Sequence, residues 1–589
     1  MSRLLRQRAD RRLAREIRLG GDPGSTARAG LRVAVGYPNR YALGMSNVGF
    51  QAVHRFWSLL PDCESERFFL PDRGEMREYR RTGTPLRALE SGRPVRSFDV
   101  IAFSITFEPD LVHLVEMLRL AGLEPLAEDR RPRDPLVIAG GPVTFLNPEP
   151  IAPFVDAFAV GEAEALLPAL TDRLRAGSKA EQLAGLAGEP GFYVPATHEI
   201  SYAEDGRIRE RRVRGGGPVV RARMGKDARF PPPATFLLTR ETEMSEKFLV
   251  EVSRGCPTLC RFCWAGYNYL PKRSFELERL LDLARAARPH TDRIGLVSTA
   301  VGAHREIVPL VSELRDMGYR VSVSSVRFED VDDAFVRPLA ESGERTVAVA
   351  PEVGTDRLRI AIHKRVTNDE ILDKVGILLD AGVVNLKLYL MVGLPGETEE
   401  DVLGIPPLVR AIRDRVRARN RRGRTIASVN PFIPKPGTPF QWRPMAPLRE
   451  LTWKMRLLQR ELGALSGVEA HMKSPRLERL QAILAVGDRR LAPVVLSLAD
   501  GRALNPSLRA AGLDADFYLH REREPDEELP WSFMDTGMKD SMLKNQLARA
   551  DAALEPGAPV MIRRGGVRMA LPTPHRAPDS HPAVRAAAR

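Results

Sequence analysis

Three of the four cysteines of the chain lie within eight residues, at Cys256, Cys260 and Cys263. The neighbouring Gly255 and Pro257 favour a loop over a regular helix at this place. Cysteine thiolates are the usual ligands of 4Fe–4S clusters. Three thiolates at the spacing C-x3-C-x2-C can hold three irons of one cluster and leave the fourth iron open to a substrate or cofactor. The sequence therefore predicts a reaction centre in this cysteine loop.

Two other interpretations of the cysteine loop stay open. A structural zinc site usually takes four ligands in two close pairs. The triplet has no second pair beside it, since His290 and His304 are not spaced as its partners. A group of buried thiols without metal is the other alternative, and it suits a core helix better than a loop. The iron–sulfur interpretation fits the spacing better than either.

Length and composition indicate a globular protein of several domains. A chain of 589 residues is too long for one core, and its hydrophobic share of 43% is ordinary. No apolar run approaches the ~20 residues that cross a bilayer. No apolar segment follows the basic N-terminus, as one would in a signal peptide. Four cysteines do not make a disulfide framework. We therefore expect a cytoplasmic protein with no membrane partner.

The chain is strongly basic, with a formal net charge of +13. Such a charge is compatible with a nucleic-acid partner, and RNA is one candidate substrate, although no RNA-binding module is recognisable. The densest basic run, residues 410–424, has two interpretations. It is either the solvated side and end of a helix or a phosphate-binding patch, and the pattern favours the solvated helix.

Residues 31–200 alternate apolar strands with helices. Strands are predicted at 31–36, 99–105, 135–141 and 156–161, and helices at 48–60, 111–121 and 162–175. This alternation is typical of a doubly wound, flavodoxin-like parallel sheet in an α/β protein. Ligands of such sheets bind beyond the carboxyl ends of the strands.

A second α/β series begins at the strand 248–253, which leads directly into the cysteine loop. Five further strands are predicted at 293–298, 320–324, 346–350, 384–391 and 425–429, with helices between them. Six such units predict an open, partial (β/α)6 barrel. Active sites of barrels lie at the carboxyl ends of the strands, where the cysteine loop is predicted.

The two α/β series and the segments around them imply a division of the chain into six regions. They are a basic lead-in (1–30), the first α/β domain (31–200), a linker (201–240), the partial barrel (241–445), a mainly helical C-terminal domain (446–555) and a disordered tail (556–589). The tail is rich in Pro, Ala and Arg, a composition that does not support a packed core.

The cysteine loop resembles that of the radical S-adenosylmethionine (radical SAM) enzymes, with an aromatic residue, Phe262, just before the last cysteine. The resemblance implies that Cys256, Cys260 and Cys263 bind one 4Fe–4S cluster, whose open iron binds S-adenosylmethionine. Reduction would cleave this cofactor to methionine and a 5′-deoxyadenosyl radical, which abstracts hydrogen from a substrate. The implied electron donor is a flavodoxin or a ferredoxin.

Other segments resemble the same family. Residues 350–359 and 387–398 are similar to the fourth and fifth strands of the branch that includes methylthiotransferases. Residues 298–302 follow the second strand but lack the family's acidic residue, which implies a backbone contact there. The resemblance implies contacts with S-adenosylmethionine from six residues at strand ends: Ser298, Ser324, Arg327, Glu352, Lys387 and Gly393.

The first domain resembles the cobalamin-binding domain often fused to radical SAM barrels, through residues 103–105, 139–142 and 160–164. Tyr41 stands where that family has its cobalt-ligating histidine, and a phenol is a poor metal ligand. The resemblance implies that cobalamin is held by Ser104, Gly140 and Gly141 without a ligand below the cobalt. The alternative is a vestigial domain that only shapes the substrate entrance.

The count of cysteines narrows the implied function. Methylthiotransferases need a second cluster from three further cysteines, and only Cys63 remains, which is most simply a solvated or half-buried thiol, with a catalytic role as the minor interpretation. His54 is most simply a packed or surface residue. Residues 430–442, 486–490 and 529–537 are similar to a branch that fuses the cobalamin-binding-like domain, the barrel and a helical tail. The resemblance implies a single-cluster radical SAM enzyme with an unassigned substrate, performing methyl transfer if cobalamin binds. A non-catalytic iron–sulfur redox or sensor protein is the competing interpretation.

Overall fold

The computed structural model of the protein describes residues 2–20, 30–175, 177–225 and 230–555, together with the backbone of the strands Met561–Arg564 and Val567–Ala570. The rest of the predicted disordered tail lies outside the described residues, as does part of the lead-in, 21–29. The remainder of the lead-in forms the helix Arg3–Leu13 and a two-residue strand.

The N-terminal domain contains a six-stranded sheet. Its strands are β1 (Leu31–Tyr37), β2 (Cys63–Phe69), β3 (Val100–Ser104), β4 (Leu136–Gly140), β5 (Ala157–Ala159) and β6 (Phe192–Tyr193). They lie in the order β2-β1-β3-β4-β5-β6; the first five are parallel and β6 is antiparallel. The order of the parallel strands is that of a flavodoxin-like sheet. The predicted doubly wound sheet is therefore confirmed.

Helices cover both faces of this sheet: Tyr41–Met45, Val48–Leu59, Arg73–Thr82, Asp110–Leu120, Ala163–Leu174 and Lys179–Ala187. The helix Val48–Leu59 shows how the sequence encodes them. Asn47 caps it by accepting a hydrogen bond from the Phe50 amide at 2.8 Å. Phe50, Phe56 and Trp57 form its buried face, in agreement with the predicted helix 48–60.

The segment between the two α/β series has more regular structure than the sequence predicts. An antiparallel hairpin joins His198–Tyr202 to Ile208–Val213. Its side chains are largely exposed and charged, so the sequence lacks the apolar alternation of a half-buried strand. Farther on, Val219–Val220 pairs in parallel with Met534–Asp535 of the C-terminal region.

The second series forms two parallel sheets rather than a closed barrel. The first contains β7 (Phe248–Glu251), β8 (Arg293–Val297) and β9 (Arg320–Val323). The second contains β10 (Thr346–Glu352), β11 (Asn385–Val392), β12 (Thr425–Pro431) and β13 (Val468–Met472). Between β9 and β10 the described residues form no ladder, although the Val326 amide donates to the Ala348 carbonyl at 2.8 Å. All six predicted strands are present, and β13 is a seventh that the sequence did not predict.

Helices connect these strands: Leu277–Ala287, Ile307–Asp316, Asp333–Glu341, Asn368–Asp380, Ile405–Arg419 and Leu448–Gly463. Asn368–Asp380 begins with a capping box, in which Thr367 and Glu370 bond each other's backbone amides. The C-terminal region is mainly helical, as predicted: Pro475–Val486, Ala492–Ala499, Leu504–Ala510, Ala515–Leu519 and Asp540–Leu554.

Two apolar cores hold the molecule together. One lies on a single face of the N-terminal sheet, against helices such as Val48–Leu59 and Ala163–Leu174. The other is continuous from the opposite face of that sheet through the barrel to the C-terminal helices. The first domain is thus packed against the barrel by a shared core. Among the described residues, no helix combines the length and apolar character needed to cross a membrane.

Candidate functional site

The cysteine loop is closed at its base by two residue pairs. After β7, Ser253–Arg254 pairs antiparallel with Arg273–Ser274, so residues 255–272 project as one loop. Gly255 has a φ of +91°, and a Cβ added to it would lie 2.4 Å from the Tyr269 carbonyl oxygen. Only glycine fits this crossing of the chain. The loop therefore begins where predicted, at the carboxyl end of the first barrel strand.

The three thiols of the loop are free, half-buried and close enough to influence one another. Burial raises the pKa of both Cys260 and Cys263, and repulsion between the thiolates adds to it. The amides of Ala265 and Gly266 point at the Cys263 sulfur. Three thiols around one loop, with amide donors to sulfur, are a donor set that fits an iron–sulfur cluster. In the described part of the chain, no group of three or more His, Cys, Asp or Glu side chains is arranged to hold one metal ion. A 4Fe–4S cluster differs from such a site, because each thiol binds a different iron.

Glu352 lies beside the cysteines, as predicted. Its charge interacts with the thiols of Cys260 and Cys263. Its backbone has a φ of +67°, a left-handed conformation that is strained for a glutamate, and the ladder between β10 and β11 is irregular just before it. The carboxylate accepts a hydrogen bond from the buried Lys364 ammonium at 2.8 Å. No sequence pattern indicated Lys364, because its partner is determined by the fold.

Three further predicted residues surround the same loop. Ser298 bonds Ser253 through their hydroxyl groups at 2.7 Å, and its carbonyl accepts from the exposed Ser324 hydroxyl at 3.2 Å. The Arg327 guanidinium donates to Asp330 and to Thr258, and its charge interacts with the Cys256 thiol. The ends of β8 and β9 thus bring these polar groups to the cysteine loop.

Two residues of the predicted site, Lys387 and Gly393, make no contact with the cysteine loop among the described contacts. Lys387 lies in the middle of β11 with its ammonium 5.2 Å from the centre of the Tyr389 ring. Gly393 is needed for packing: a Cβ there would lie 2.6 Å from Leu451 of the helix Leu448–Gly463. Its amide donates to Glu397 at 2.6 Å. The approach of a ligand to the Gly393 backbone stays a prediction, and the helix contact is a second reason for glycine at this position.

A cavity of about 420 Å³ lies between the N-terminal sheet and the barrel. Ser104, Gly140 and Gly141 line it at the carboxyl ends of β3 and β4, as predicted. On the barrel side it is lined by Trp264 and Tyr269, which come from the cysteine loop. Gly141 has a φ of +106°, and a Cβ there would lie 2.4 Å from the Ile105 carbonyl oxygen. The cavity and the cysteine loop are therefore neighbours.

Tyr41, which stands at the position of the family's cobalt-ligating histidine, is not among the described lining residues of the cavity. It is buried, and its hydroxyl donates to Glu16 at 2.6 Å. Burial, together with the Glu16 charge, raises its pKa. His54 is buried against Ser65, in agreement with its predicted packing role. The described residues that line the cavity include no histidine, cysteine or methionine.

A buried charge cluster joins the cavity to the cysteine loop. Arg254, two residues before the first ligand cysteine, contacts Glu162 at 3.1 Å, Glu164 at 3.0 Å and Glu251 at 2.7 Å. Arg273 also pairs with Glu162. Two of these carboxylates belong to the N-terminal domain, so Arg254 connects the domains. The sequence placed residues 160–164 in the family pattern but did not indicate this partner.

Two candidate features remain apart from the site. The basic run lies on the helix Ile405–Arg419, whose buried face is apolar, and most of its arginines are exposed. Several of these arginines already have hydrogen-bond partners on the protein surface: Arg415 donates to the Leu372 carbonyl and Arg419 to Asp380. Cys63 is buried in β2, and burial raises the pKa of its thiol.

Two family descriptions match the sequence. Residues 49–195 match "Radical SAM proteins, N-terminal", and residues 250–405 match "Radical SAM superfamily". Together with the parallel sheets and the cysteine loop, they show that the chain belongs to the radical SAM superfamily of enzymes. Membership implies a 4Fe–4S cluster and S-adenosylmethionine as cofactors, and an electron donor.

Known proteins resemble different shares of the chain. An uncharacterised protein of Methanocaldococcus jannaschii is 28% identical over 466 residues, which are 78% of this chain and 89% of that protein. A tRNA-2-methylthio-N(6)-dimethylallyladenosine synthase of Jannaschia sp. is 26% identical over 280 residues, 45% of this chain and 54% of the synthase.

Among solved structures, the cobalamin-dependent S-adenosylmethionine radical enzyme OxsB, with aqua-cobalamin and S-adenosylmethionine bound, matches 88% of this chain and 79% of its own. The TM-score is 0.46 and the identity 10%. The radical S-adenosylmethionine methyltransferase TsrM from Kitasatospora setae matches 68% of this chain and 72% of its own, with a TM-score of 0.43 and 16% identity. At these scores the likeness is distant.

Proposed function

We propose that the protein holds one 4Fe–4S cluster through Cys256, Cys260 and Cys263 and cleaves S-adenosylmethionine reductively. The observation that carries this proposal is the arrangement of three mutually interacting thiols in one loop, with the Glu352 carboxylate beside them. When bound, the cluster supplies an electron and an open iron position that together break a carbon–sulfur bond of the sulfonium cofactor. The donor of that electron is a flavodoxin or ferredoxin.

The residues around the loop have separable tasks in this proposal. Glu352 accepts hydrogen bonds from a cationic or amino group, and Lys364 holds its carboxylate in place at 2.8 Å. Arg327 fixes the loop through Thr258 and offers positive charge near Cys256. The strained backbone of Glu352 is the feature that favours an enzyme over a purely structural or sensing cluster, because strain at a polar residue is typical of a functional site.

The cavity in front of the N-terminal sheet supports a second part of the proposal. We propose that it holds a cobalamin, bound by shape and by the backbone at Gly140 and Gly141 rather than by a ligand to cobalt. A cavity of about 420 Å³ at the carboxyl ends of parallel strands, with Trp264 on its far wall, is suited to a large planar ligand. Bound cobalamin supplies a methyl group, so methyl transfer to a substrate carbon is the proposed reaction.

Reconstitution tests the first part. Full-length protein is reconstituted anaerobically with iron and sulfide, reduced with dithionite and given S-adenosylmethionine, and 5′-deoxyadenosine is quantified. The wild type and the Cys63→Ala protein are expected to form it, because Cys63 lies in β2, away from the loop. The Cys260→Ala protein is expected to lose both the visible absorbance of the cluster and the cleavage. Zinc without iron in anaerobic preparations, or normal cleavage by Cys260→Ala, contradicts the proposal.

Spectroscopy tests the second part. Protein purified with hydroxocobalamin is expected to retain the corrinoid after gel filtration. Its reduced Co(II) form is expected to give an EPR spectrum without nitrogen hyperfine splitting from a protein ligand, because no histidine lies among the described lining residues. Loss of the corrinoid on gel filtration favours a domain that only shapes the substrate entrance.

A further inference from the structure

A second groove, of about 600 Å³, opens between the last described helix and the cysteine loop. One wall is the exposed face of Asp540–Leu554, and the other is formed by Arg223, Leu270 and Pro271. Among its described lining residues, Arg223, Lys539 and Arg549 are cations and none is a carboxylate. Elsewhere in the described part of the chain, many arginines are paired with Asp or Glu, for example Arg254 with Glu251.

The positive charge extends behind the groove wall. Arg221 is 6% exposed and donates only to the Asn268 side chain at 2.9 Å and the Thr536 carbonyl at 2.8 Å among the described residues. Burial and repulsion from Arg223 lower the pKa of Arg221 to about 10. Arg223 donates to the same carbonyl, and its Nε is buried without a partner in the described part of the chain. Two guanidinium groups therefore share one neutral acceptor.

A third buried arginine connects the groove to the cysteine loop. Arg261, which lies between Cys260 and Cys263, is 5% exposed. It donates to two backbone carbonyls and, at 3.3 Å, to the Gln546 side chain, which lines the groove. Among the described residues its hydrogen bonds reach no carboxylate. Lys539 and Arg549 are exposed and have no hydrogen bond or ion pair within the described ranges.

Glu162 interacts electrostatically with Arg221 and Asp551 with Arg261, but neither arginine forms an ion pair in the described part of the chain. Buried positive charge that is not directly paired is costly, and guanidinium groups bind oxyanions through paired hydrogen bonds. Resting on the proposed function, we infer that this groove binds an oxyanionic group, phosphate or carboxylate, of a small-molecule substrate. Gln546 places that group one side chain away from the cysteine loop. The substrate class is therefore an anionic metabolite rather than a neutral one.

The segment 529–537 helps to position the arginines of this groove. The pairing of Met534–Asp535 with Val219–Val220 places residues 536–537 beside Arg221 and Arg223. Gly537 has a φ of +70°, and a Cβ there would lie 2.6 Å from Nη2 of Arg223. Glycine at this position lets the Arg223 side chain lie across the turn and face the groove.

Calorimetry with two probe anions tests the inference. Pyrophosphate and citrate are titrated separately into the full-length protein at low ionic strength, where charge effects are largest. At least one is expected to bind, and Arg223→Gln and Arg549→Gln are each expected to weaken it about tenfold, the usual size of one charge-assisted hydrogen bond. Arg410→Gln is the matched control: it removes an equal charge from an exposed position on Ile405–Arg419 and is expected to leave the affinity unchanged.

The outcomes separate the alternatives. Tighter binding of pyrophosphate identifies a phosphate site and tighter binding of citrate a carboxylate site. The inference is overturned if neither anion binds, if Arg410→Gln weakens binding as much as Arg223→Gln, or if only a single-stranded RNA oligonucleotide binds in an Arg223-dependent manner. Anion binding by the Cys260→Ala protein, which is expected to lack cleavage, keeps failure of the groove distinct from failure of the proposed function.

Discussion

The cavity of the N-terminal domain and the cysteine loop of the barrel both lie at the carboxyl ends of parallel strands, but they present different chemical groups to a ligand. The cavity is walled largely by apolar side chains and by glycine backbone, together with the charge cluster of Arg254, and its described lining includes no histidine, cysteine or methionine. The loop presents three thiols, with Glu352 and Arg327 beside it. The same kind of strand end can therefore bind by shape in one domain and by ligand chemistry in the other.

Glycine substitutions give the sharpest test of this contrast. Gly255→Ala is expected to abolish cluster binding, because the new Cβ would lie 2.4 Å from the Tyr269 carbonyl oxygen at a φ of +91°. Gly140→Ala is the counterpart in the cavity and is expected to be mild, since its Cβ would meet nothing closer than 3.7 Å. Iron content and visible absorbance measure the first effect, and corrinoid retention the second. A normal iron content in Gly255→Ala would show that the loop is not so constrained.

Filling the cavity tests binding by shape. Val53 lines the cavity from the helix Val48–Leu59, and Val53→Trp is expected to abolish retention of cobalamin by occupying its space. Leu59→Trp adds the same ring at an exposed position near the end of that helix and is expected to retain cobalamin. Gel filtration followed by absorbance spectroscopy measures both. Retention by Val53→Trp would contradict the assignment of the cavity.

Removing the charge of Glu352 tests whether the cysteine loop binds its ligand through charged groups. Glu352→Gln is expected to raise the KM for S-adenosylmethionine about tenfold, the effect of losing one charged hydrogen-bond acceptor. The iron content is expected to stay normal, because Glu352 is not one of the cysteine ligands. Glu344→Gln, just before the opposite end of β10, is the control and is expected to leave the KM unchanged. An unchanged KM in Glu352→Gln would remove this residue from the site.

The smallest expected effect concerns how the N-terminal domain is held to the C-terminal region. Buried Glu149 contacts Arg489 at 2.9 Å and Arg211 at 3.3 Å. Burial raises its pKa, but the two guanidinium groups outweigh burial and hold the pKa below its usual 4.5. The ionised Glu149 carboxylate therefore stabilises the fold above about pH 4.5. This stability is lost as the pH falls through the lower pKa that Glu149 has in the folded protein.

Thermal unfolding across this range checks the sign. The melting temperature of the wild type is expected to fall as the pH is lowered from about 5 to about 3, and Glu149→Gln is expected to start lower and to change less. Glu210→Gln, on the exposed hairpin, is the control and is expected to follow the wild type. Parallel curves for the wild type and Glu149→Gln would exclude this carboxylate as the source.

Local sequence patterns predicted most of the architecture. The six barrel strands and four of the six strands of the N-terminal sheet follow from apolar runs bounded by turns, and the cysteine loop from spacing alone. The strands Cys63–Phe69 and Phe192–Tyr193 were not predicted, because the first begins with polar residues and the second has only two residues. The hairpin of residues 198–213 was missed because its side chains face solvent. The strand β13 was missed because its side chains are half-buried or exposed, so that its short Val468–Met472 pattern resembles a polar connection between helices.

Pairwise contacts between distant segments could not be predicted. Lys364 meets Glu352 only because the chain turns back after β10, and the carboxylates that hold Arg254 come from two domains. Gly393 is a further case, since its close contact with Leu451 of a distant helix was not predicted from the family pattern. The chemistry of single residues is readable from sequence, whereas their partners depend on the assembled fold.

The interdomain position of Arg254 has a consequence for biosynthesis. Glu162 and Glu164 leave the ribosome long before the cysteines, and domains generally fold in the order in which they are made. Two of the three carboxylates that neutralise Arg254 are thus already in place when the cysteine loop appears. A barrel translated without its N-terminal partner would keep only Glu251 beside the Arg254 guanidinium at the root of the loop, so we expect iron insertion to be less efficient when the preceding domain is absent.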